Sequence, residues 1–208
     1  MTLKIYGRRS SANVQKVVWL CSEANLKFDT KNYGGKYGGN ESNKFRSMNP
    51  NGRVPVLQDN DFILYESNSI IKYLSRKYKI FDIDNIEQQA LINQWIDWSS
   101  HTLGAPCSVL TAHTCSLPRD LRDREKVIES KKKILPLLKI LNDQLLISDY
   151  VVGKNFTLAD IPAGCWFNRC RNLNVDMSDF HGIIEWSTRL DNRSAFKSAV
   201  VSAPMPPN

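Results

Sequence analysis

The sequence lacks the cysteine pattern of a disulfide-stapled or zinc-binding protein. Its five cysteines are an odd number, and no two of them form a C-x-x-C pair. Small disulfide scaffolds carry even numbers of cysteines, and structural zinc sites carry closely spaced pairs. We therefore expect no disulfide framework, no metal site and a reducing compartment, the cytoplasm.

Long apolar runs are also missing. A transmembrane helix needs roughly 20 consecutive apolar residues, and the mean hydropathy of this chain is −0.37. Lys4, Arg8 and Arg9 interrupt the first apolar stretch, so we expect no signal peptide. The sequence predicts a protein that has no membrane partner.

The excess positive charge is confined to the first part of the chain. Residues 1–80 carry 14 Lys or Arg against 6 Asp or Glu, whereas residues 81–208 carry 14 against 15. A basic field concentrates anionic partners. Because these basic residues are scattered and do not follow one helix face, they favour a small anionic ligand over nucleic acid.

The hydrophobic pattern divides the chain into two parts. "LKIY", "NVQKVVWLCSEA" and "LKFDTKNY" predict a strand, an amphipathic helix and a strand. "RVPVLQDNDFILYES" and "SNSIIKYLSRKY" then predict two strands and a helix. From residue 87 the patterns are helical, and Pro136 is expected to kink or interrupt one helix. We predict an α/β domain over 1–80 (βαβ-ββα) and an all-α domain over 87–208.

Three polar motifs stand at predicted helix starts. Ser10 and Ser11 lie where the first strand gives way to a helix, as helix caps or facing a reactive group. Glu66 and Ser67 stand in the same way before "NSIIKYL". "TLAD", residues 157–160, has the spacing of a capping box.

Residues 49–74, "NPNGRVPVLQDNDFILYESNSIIKYL", resemble the cytosolic glutathione transferase superfamily. "YGRRSSANVQKV" near the start is similar to its serine-type classes, phi and theta, and "FTLADI" resembles the capping element of its helical domain. The resemblance implies a thioredoxin-like first domain, an all-α second domain, glutathione as cosubstrate, no other cofactor, and a homodimer.

The resemblance implies that Ser11 carries the catalytic hydroxyl, with Tyr6 at the strand end as the alternative used by tyrosine-type classes. Lowering a thiol pKa by two units takes about 2.7 kcal/mol. One hydrogen bond to a charged acceptor contributes roughly 1.5–3 kcal/mol, and a helix N-terminus adds up to about 1 kcal/mol. A serine at the start of a helix can therefore meet this requirement without acting as a base.

For glutathione binding the resemblance implies Arg53, the backbone of Val54 before a cis Pro55, and the Glu66–Ser67 pair. Glu66 would pair with the γ-glutamyl ammonium, and Ser67 with the helix N-terminus would hold its carboxylate. The match is weaker for the residues that would bind the glycyl carboxylate. Glu41 has the wrong charge, and Lys36 or Lys44 could substitute.

The second substrate is expected to be a small hydrophobic electrophile. The candidate wall residues in the helical half are Trp98, His101, Thr102 and Trp166. For each of these residues taken singly, packing or surface exposure is the simpler explanation.

The sequence therefore predicts a detoxifying glutathione transferase that adds the thiolate to an electrophile. Two alternatives remain open. One is a non-catalytic protein-interaction module on the same fold, and the other is a glutathione-dependent isomerase or dehalogenase.

Overall fold

The structure, a computed structural model, describes residues 2–206, so Met1 and residues 207–208 at the ends of the predicted domains lie outside it. The described chain divides into two compact units. Residues 2–82 form the first unit together with residues 195–205, and Ile83–Ser194 form the second.

The first unit contains a four-stranded sheet. Its elements are β1 (Leu3–Tyr6), α1 (Ala12–Glu23), β2 (Phe28–Lys31), a 3₁₀ turn (Gly35–Tyr37), α2 (Asn43–Arg46), β3 (Val56–Asp59), β4 (Phe62–Tyr65) and α3 (Ser67–Tyr78). The strand order is β2-β1-β3-β4. β1 pairs in parallel with β2 and antiparallel with β3, and β3 pairs antiparallel with β4. The predicted βαβ-ββα order is confirmed.

Helix α1 lies at the centre of this unit. Every residue from Val14 to Cys21 is buried, and the helix packs against α3 and the segment Lys197–Val201. Trp19 and Phe196, both fully buried, stack with their ring centroids 4.7 Å apart. The sequence alone assigned residues 195–205 to the helical domain, but they pack with the first unit, where Phe196 meets Trp19 of α1.

The second unit is helical throughout. Its elements are α4 (Ile86–Asp97), a π-helical segment (Trp98–Leu103), α5 (Gly104–Thr111), a second π segment (Ala112–Ser116), a 3₁₀ turn (Arg119–Leu121), α6 (Arg124–Leu146), α7 (Asp160–Asn172) and α8 (His181–Asp191). α6 runs on through Pro136 without interruption. The short α9 (Ser194–Phe196) leads into the π segment Lys197–Val201. An all-α second half is confirmed, and none of the described helices is long and apolar enough to cross a membrane.

The start of α7 is held by a fully buried carboxylate. Asp160 Oδ2 accepts from Thr157 N (2.8 Å) and Thr157 Oγ1 (3.2 Å). Its Oδ1 accepts from Val151 N (3.0 Å) and Trp186 Nε1 (2.9 Å). Burial raises the pKa of Asp160 to about 6, against the lowering effect of these bonds. The predicted capping motif is confirmed, and it also joins α7 to α8.

Replacing this carboxylate by an amide tests the network. In Asp160→Asn one oxygen becomes an NH₂ group that faces donors, so at least one buried N–H loses its acceptor. We expect a loss of about 2–5 kcal/mol in the free energy of unfolding, measured by urea denaturation at pH 7, above the pKa of Asp160.

Asp143→Asn on α6 is the matched control. It removes the same charge from an exposed ion pair with Lys139, and we expect no measurable change. Equal effects of the two substitutions would contradict a structural role for the Asp160 network.

Candidate active site

Ser11 occupies the N-cap of α1. Its backbone is extended (φ −83°, ψ 122°), and within residues 2–206 its side chain makes no capping hydrogen bond. The carbonyl of Ser11 accepts from Gln15 N (2.9 Å), and its own N–H donates to Arg8 O (3.1 Å). The backbone at Ser11 is thus fixed at the positive end of a buried helix, while the half-buried hydroxyl is not used by the cap.

Tyr6 presents a different situation at the end of β1. Its hydroxyl donates to Gln58 Oε1 on β3 at 2.7 Å, and its ring lies 5.7 Å from that of Tyr33. The phenol proton already has an acceptor within the sheet. Of the two sequence candidates, Ser11 has the more available hydroxyl.

Val54 follows the exposed Arg53 in the turn that leads to β3. The Val54–Pro55 peptide bond is cis, as expected. The turn before it is held by the buried Asn49, whose amide donates to Arg53 O at 2.7 Å and whose Oδ1 accepts from Asn51 N at 3.1 Å. The backbone of Arg53 is therefore positioned by a buried side chain, while its own side chain faces solvent.

Glu66 and Ser67 mark the start of α3. Glu66 is the N-cap residue with φ +70° and ψ 112°, and its exposed side chain forms no capping bond among the described residues. A non-glycine residue at positive φ is strained by about 1–3 kcal/mol, and such strain concentrates at functional sites. Ser67 is buried, and its hydroxyl donates to Asn13 Oδ1 on α1 at 3.3 Å.

The structure adds Lys16, a residue that sequence reasoning missed. Lys16 lies on α1 and is fully buried. Its Nζ is 3.4 Å from Ser67 Oγ and 3.3 Å from Asn68 Oδ1. A cation thus lies beside the first turn of α3, where it adds to the positive end of the helix dipole and favours an anion. A lysine directly before the apolar run "VVWL" was the available signal.

In the glycine-rich segment before α2, the structure shows which groups contact the Glu41 carboxylate. Its carboxylate forms an ion pair with Arg46 and accepts from Asn40 Nδ2 at 3.0 Å, so its negative charge is locally compensated. Lys36 lies over the ring of Tyr37, 5.4 Å from its centroid, and Lys44 is exposed on α2.

The four candidates for the second substrate lie in the helical unit. Trp98, His101 and Thr102 share the π-helical segment, where His101 and Thr102 are exposed and Trp98 is half-buried. Trp98 packs edge-on against Trp95 at 5.0 Å. Trp166 is buried in α7 against Gly104, where a Cβ would come within 2.9 Å of the indole. Trp166 therefore packs as a core residue of this unit, unlike the other three.

Cys21 is the cysteine of the first unit, and its thiol is not a nucleophile suited to the site. Cys21 is fully buried, and burial raises the pKa of its thiol to about 12. Within the described part of the chain, no group of three or more His, Cys, Asp or Glu side chains is placed to hold a metal ion.

Comparisons with known proteins agree with this geometry. Residues 1–76 match the glutathione S-transferase N-terminal domain, and residues 105–194 match its C-terminal domain. Glutathione S-transferase GstB of Escherichia coli is 29% identical over 203 residues, which is 96% of this chain and 98% of the relative. Glutathione S-transferase F10 of Arabidopsis thaliana is 30% identical and covers 77% of each chain.

A solved structure gives the same result. The theta class glutathione S-transferase from Xanthomonas axonopodis pv. citri, with glutathione bound, superimposes with a TM-score of 0.92. The two proteins are 30% identical, and the match covers 97% of this chain and 98% of the other. Both domain models, the relatives and the fold therefore agree that this chain belongs to the glutathione S-transferase family.

Proposed function

We propose that this chain is a glutathione transferase that binds glutathione in its first unit and presents the thiol as a thiolate to a small hydrophobic electrophile. The observation that carries the proposal is the Ser11 hydroxyl, which stands at the positive end of α1 and is not consumed by the helix cap. Such a hydroxyl can donate to a neighbouring sulfur anion.

The reaction needs little more from the protein than this donor. A thiol of pKa near 8.5 is only a few per cent ionised at pH 7. The hydrogen bond from Ser11 and the dipole of α1 both favour the anion and together supply about 2–4 kcal/mol. The thiolate sulfur then attacks the electrophile, and no covalent intermediate forms on the enzyme.

The residues at the start of α3 suit the γ-glutamyl end of glutathione. Glu66 is exposed and its carboxylate is not used for capping, so it can pair with the ammonium group. Ser67, the N–H groups of the first turn and the charge of Lys16 can hold the carboxylate. Val54 would pair with the cysteinyl backbone of glutathione, and Arg53 would add a donor.

The remaining parts of the proposal follow from the family resemblance. Trp98, His101 and Thr102 are proposed to contact the electrophile, with Trp166 supporting them from α7. Glutathione is a cosubstrate, and no resident cofactor or metal is invoked. We propose that the protein acts as a cytoplasmic homodimer.

A pure scaffold would have no need for the strained Glu66 backbone, which favours the enzyme over the interaction module.

Ser11→Ala and Tyr6→Phe test the catalytic assignment. Ser11→Ala removes the donor to sulfur, so kcat/KM for a chlorodinitrobenzene should fall about 10- to 100-fold near pH 6.5. The pH–rate profile should also move upward by about one to two pH units, because the bound thiol regains its ordinary pKa.

Tyr6→Phe serves as the comparison, since it removes only the hydroxyl bonded to Gln58. Its activity should stay within about threefold of the parent, whereas the free energy of unfolding falls by about 1 kcal/mol. An inactive Tyr6→Phe beside a fully active Ser11→Ala would transfer the catalytic role to Tyr6.

Glu66→Gly separates backbone strain from ligand binding. Glycine adopts positive φ without steric cost, so Glu66→Gly should unfold at a higher urea concentration than Glu66→Ala, which keeps the strain. Both variants lack the carboxylate and should bind glutathione at least about tenfold more weakly. Glutathione binding at the parent affinity in both variants would remove Glu66 from the site.

A further inference from the structure

Arg8 lies in the loop between β1 and α1, three residues before Ser11. Its carbonyl accepts from Ser11 N at 3.1 Å, so the two residues belong to the same turn. The backbone bond fixes Arg8 relative to the proposed catalytic hydroxyl.

The side chain of Arg8 lies against two consecutive glycines. A Cβ built on Gly34 would be 2.9 Å from the Arg8 terminal nitrogen NH1, and one on Gly35 would be 2.9 Å from both its Cδ and its Nε. A side chain at either position would require the arginine to shift. Both glycines also have positive φ, +76° and +57°. Glycine adopts this backbone conformation without steric cost, whereas other residues do not.

The Arg8 guanidinium lies close to Gly34, which in turn is close to Val54 and Asn40. The same Cβ position on Gly34 is 3.6 Å from Val54 Cγ1 and 3.8 Å from Asn40 Oδ1. The side chain of Arg8 therefore lies near Val54, within the unit that carries Ser11. The backbone of Val54 is the group proposed to pair with the cysteinyl part of glutathione.

The Arg8 guanidinium has no partner inside the described protein. Among residues 2–206 it forms no hydrogen bond, ion pair or ring contact. Partial burial alone lowers its pKa. The acid in the facing segment, Glu41, is already paired with Arg46.

The next residue, Arg9, shows the ordinary structural use of an arginine in this loop. It donates to the carbonyl of Ser198 at 2.7 Å and so fastens the C-terminal segment to the first unit. A half-buried cation without such partners costs free energy. A ligand that supplied an acceptor for the guanidinium would remove this cost.

We propose that Arg8 binds a carboxylate that is presented beside the thiol of bound glutathione. A guanidinium matches a carboxylate with two parallel N–H donors, which a lysine cannot do. The inference rests on the proposed glutathione transferase function. The carboxylate has two possible sources, the glycyl end of glutathione and an acidic group on the electrophile.

Two matched pairs of reagents distinguish these sources. Glutathione and its glycyl ethyl ester differ in the glycyl carboxylate, and iodoacetate and iodoacetamide differ in the charge of an electrophile of the same size. In either alkylation the thiolate forms the C–S bond as iodide leaves. The variants are Arg8→Gln, Arg8→Lys and a control, Lys4→Gln, which removes one exposed positive charge from β1.

Calorimetric Kd values for the two thiols and KM values for the two iodo compounds are then compared. If the glycyl carboxylate is the ligand, Arg8→Gln should weaken glutathione about 10- to 100-fold and leave the ester unchanged. If the carboxylate belongs to the electrophile, the KM for iodoacetate should rise by a similar factor, and the KM for iodoacetamide should not change. Arg8→Lys should recover part of either loss, and Lys4→Gln should match the parent.

Equal losses with both members of each pair, or no loss at all, would overturn the proposal, because a merely structural arginine cannot tell acid from ester or amide. A parent protein that binds neither glutathione nor its ester would instead refute the glutathione transferase function, and this inference with it. Urea denaturation of each variant establishes that it is folded.

Discussion

The burial of α1 is the constraint on which the rest of the first unit depends. A helix enclosed by α3 and by the C-terminal segment cannot shift or fray at its first turn. Ser11 is therefore set by the packing of a whole helix and not by the conformation of a loop. Hydroxyls that must donate to a developing anion need such preorganisation, since a displacement of about 1 Å is costly in rate.

Two unfavourable features lie at the start of α3, and both fit the glutathione site proposed there. Lys16 places a cation in the interior, where it is tolerated because Ser67 and Asn68 contact it. Glu66 adopts a backbone conformation that is unfavourable for a side chain. Selection for stability alone would favour an apolar residue in place of Lys16 and a glycine in place of Glu66. Together they leave a carboxylate in solvent beside an electropositive helix start.

Much of the fold could be predicted from the sequence because its patterns are local. The strand and helix order of the first unit followed from periodicity, and the TLAD capping bonds followed from spacing. The packing of residues 195–205 on α1 could not be predicted, because it joins segments almost the full chain apart. The continuous α6 shows the same limit, since the helix forms in spite of Pro136.

For the candidate site, the sequence suggests residues only where a motif names them, as with Ser11, Glu66 and Ser67. The site was not predictable where the role depends on burial or on missing partners. For Lys16 the sequence offers only a lysine next to an apolar run, and it does not show that Arg8 lies beside two glycines. The burial of Trp166 against Gly104 is likewise not visible in the sequence.

The most direct test of the account is the number of protons released when glutathione binds. It is measured by calorimetry at pH 7 in buffers of different ionisation enthalpy, with S-methylglutathione as the control. If the site lowers the thiol pKa from about 8.5 to about 6.5, roughly 0.7 proton should be released per molecule bound, and none for the methylated analogue. Glutathione that binds without releasing a proton would contradict activation of the thiol by this protein.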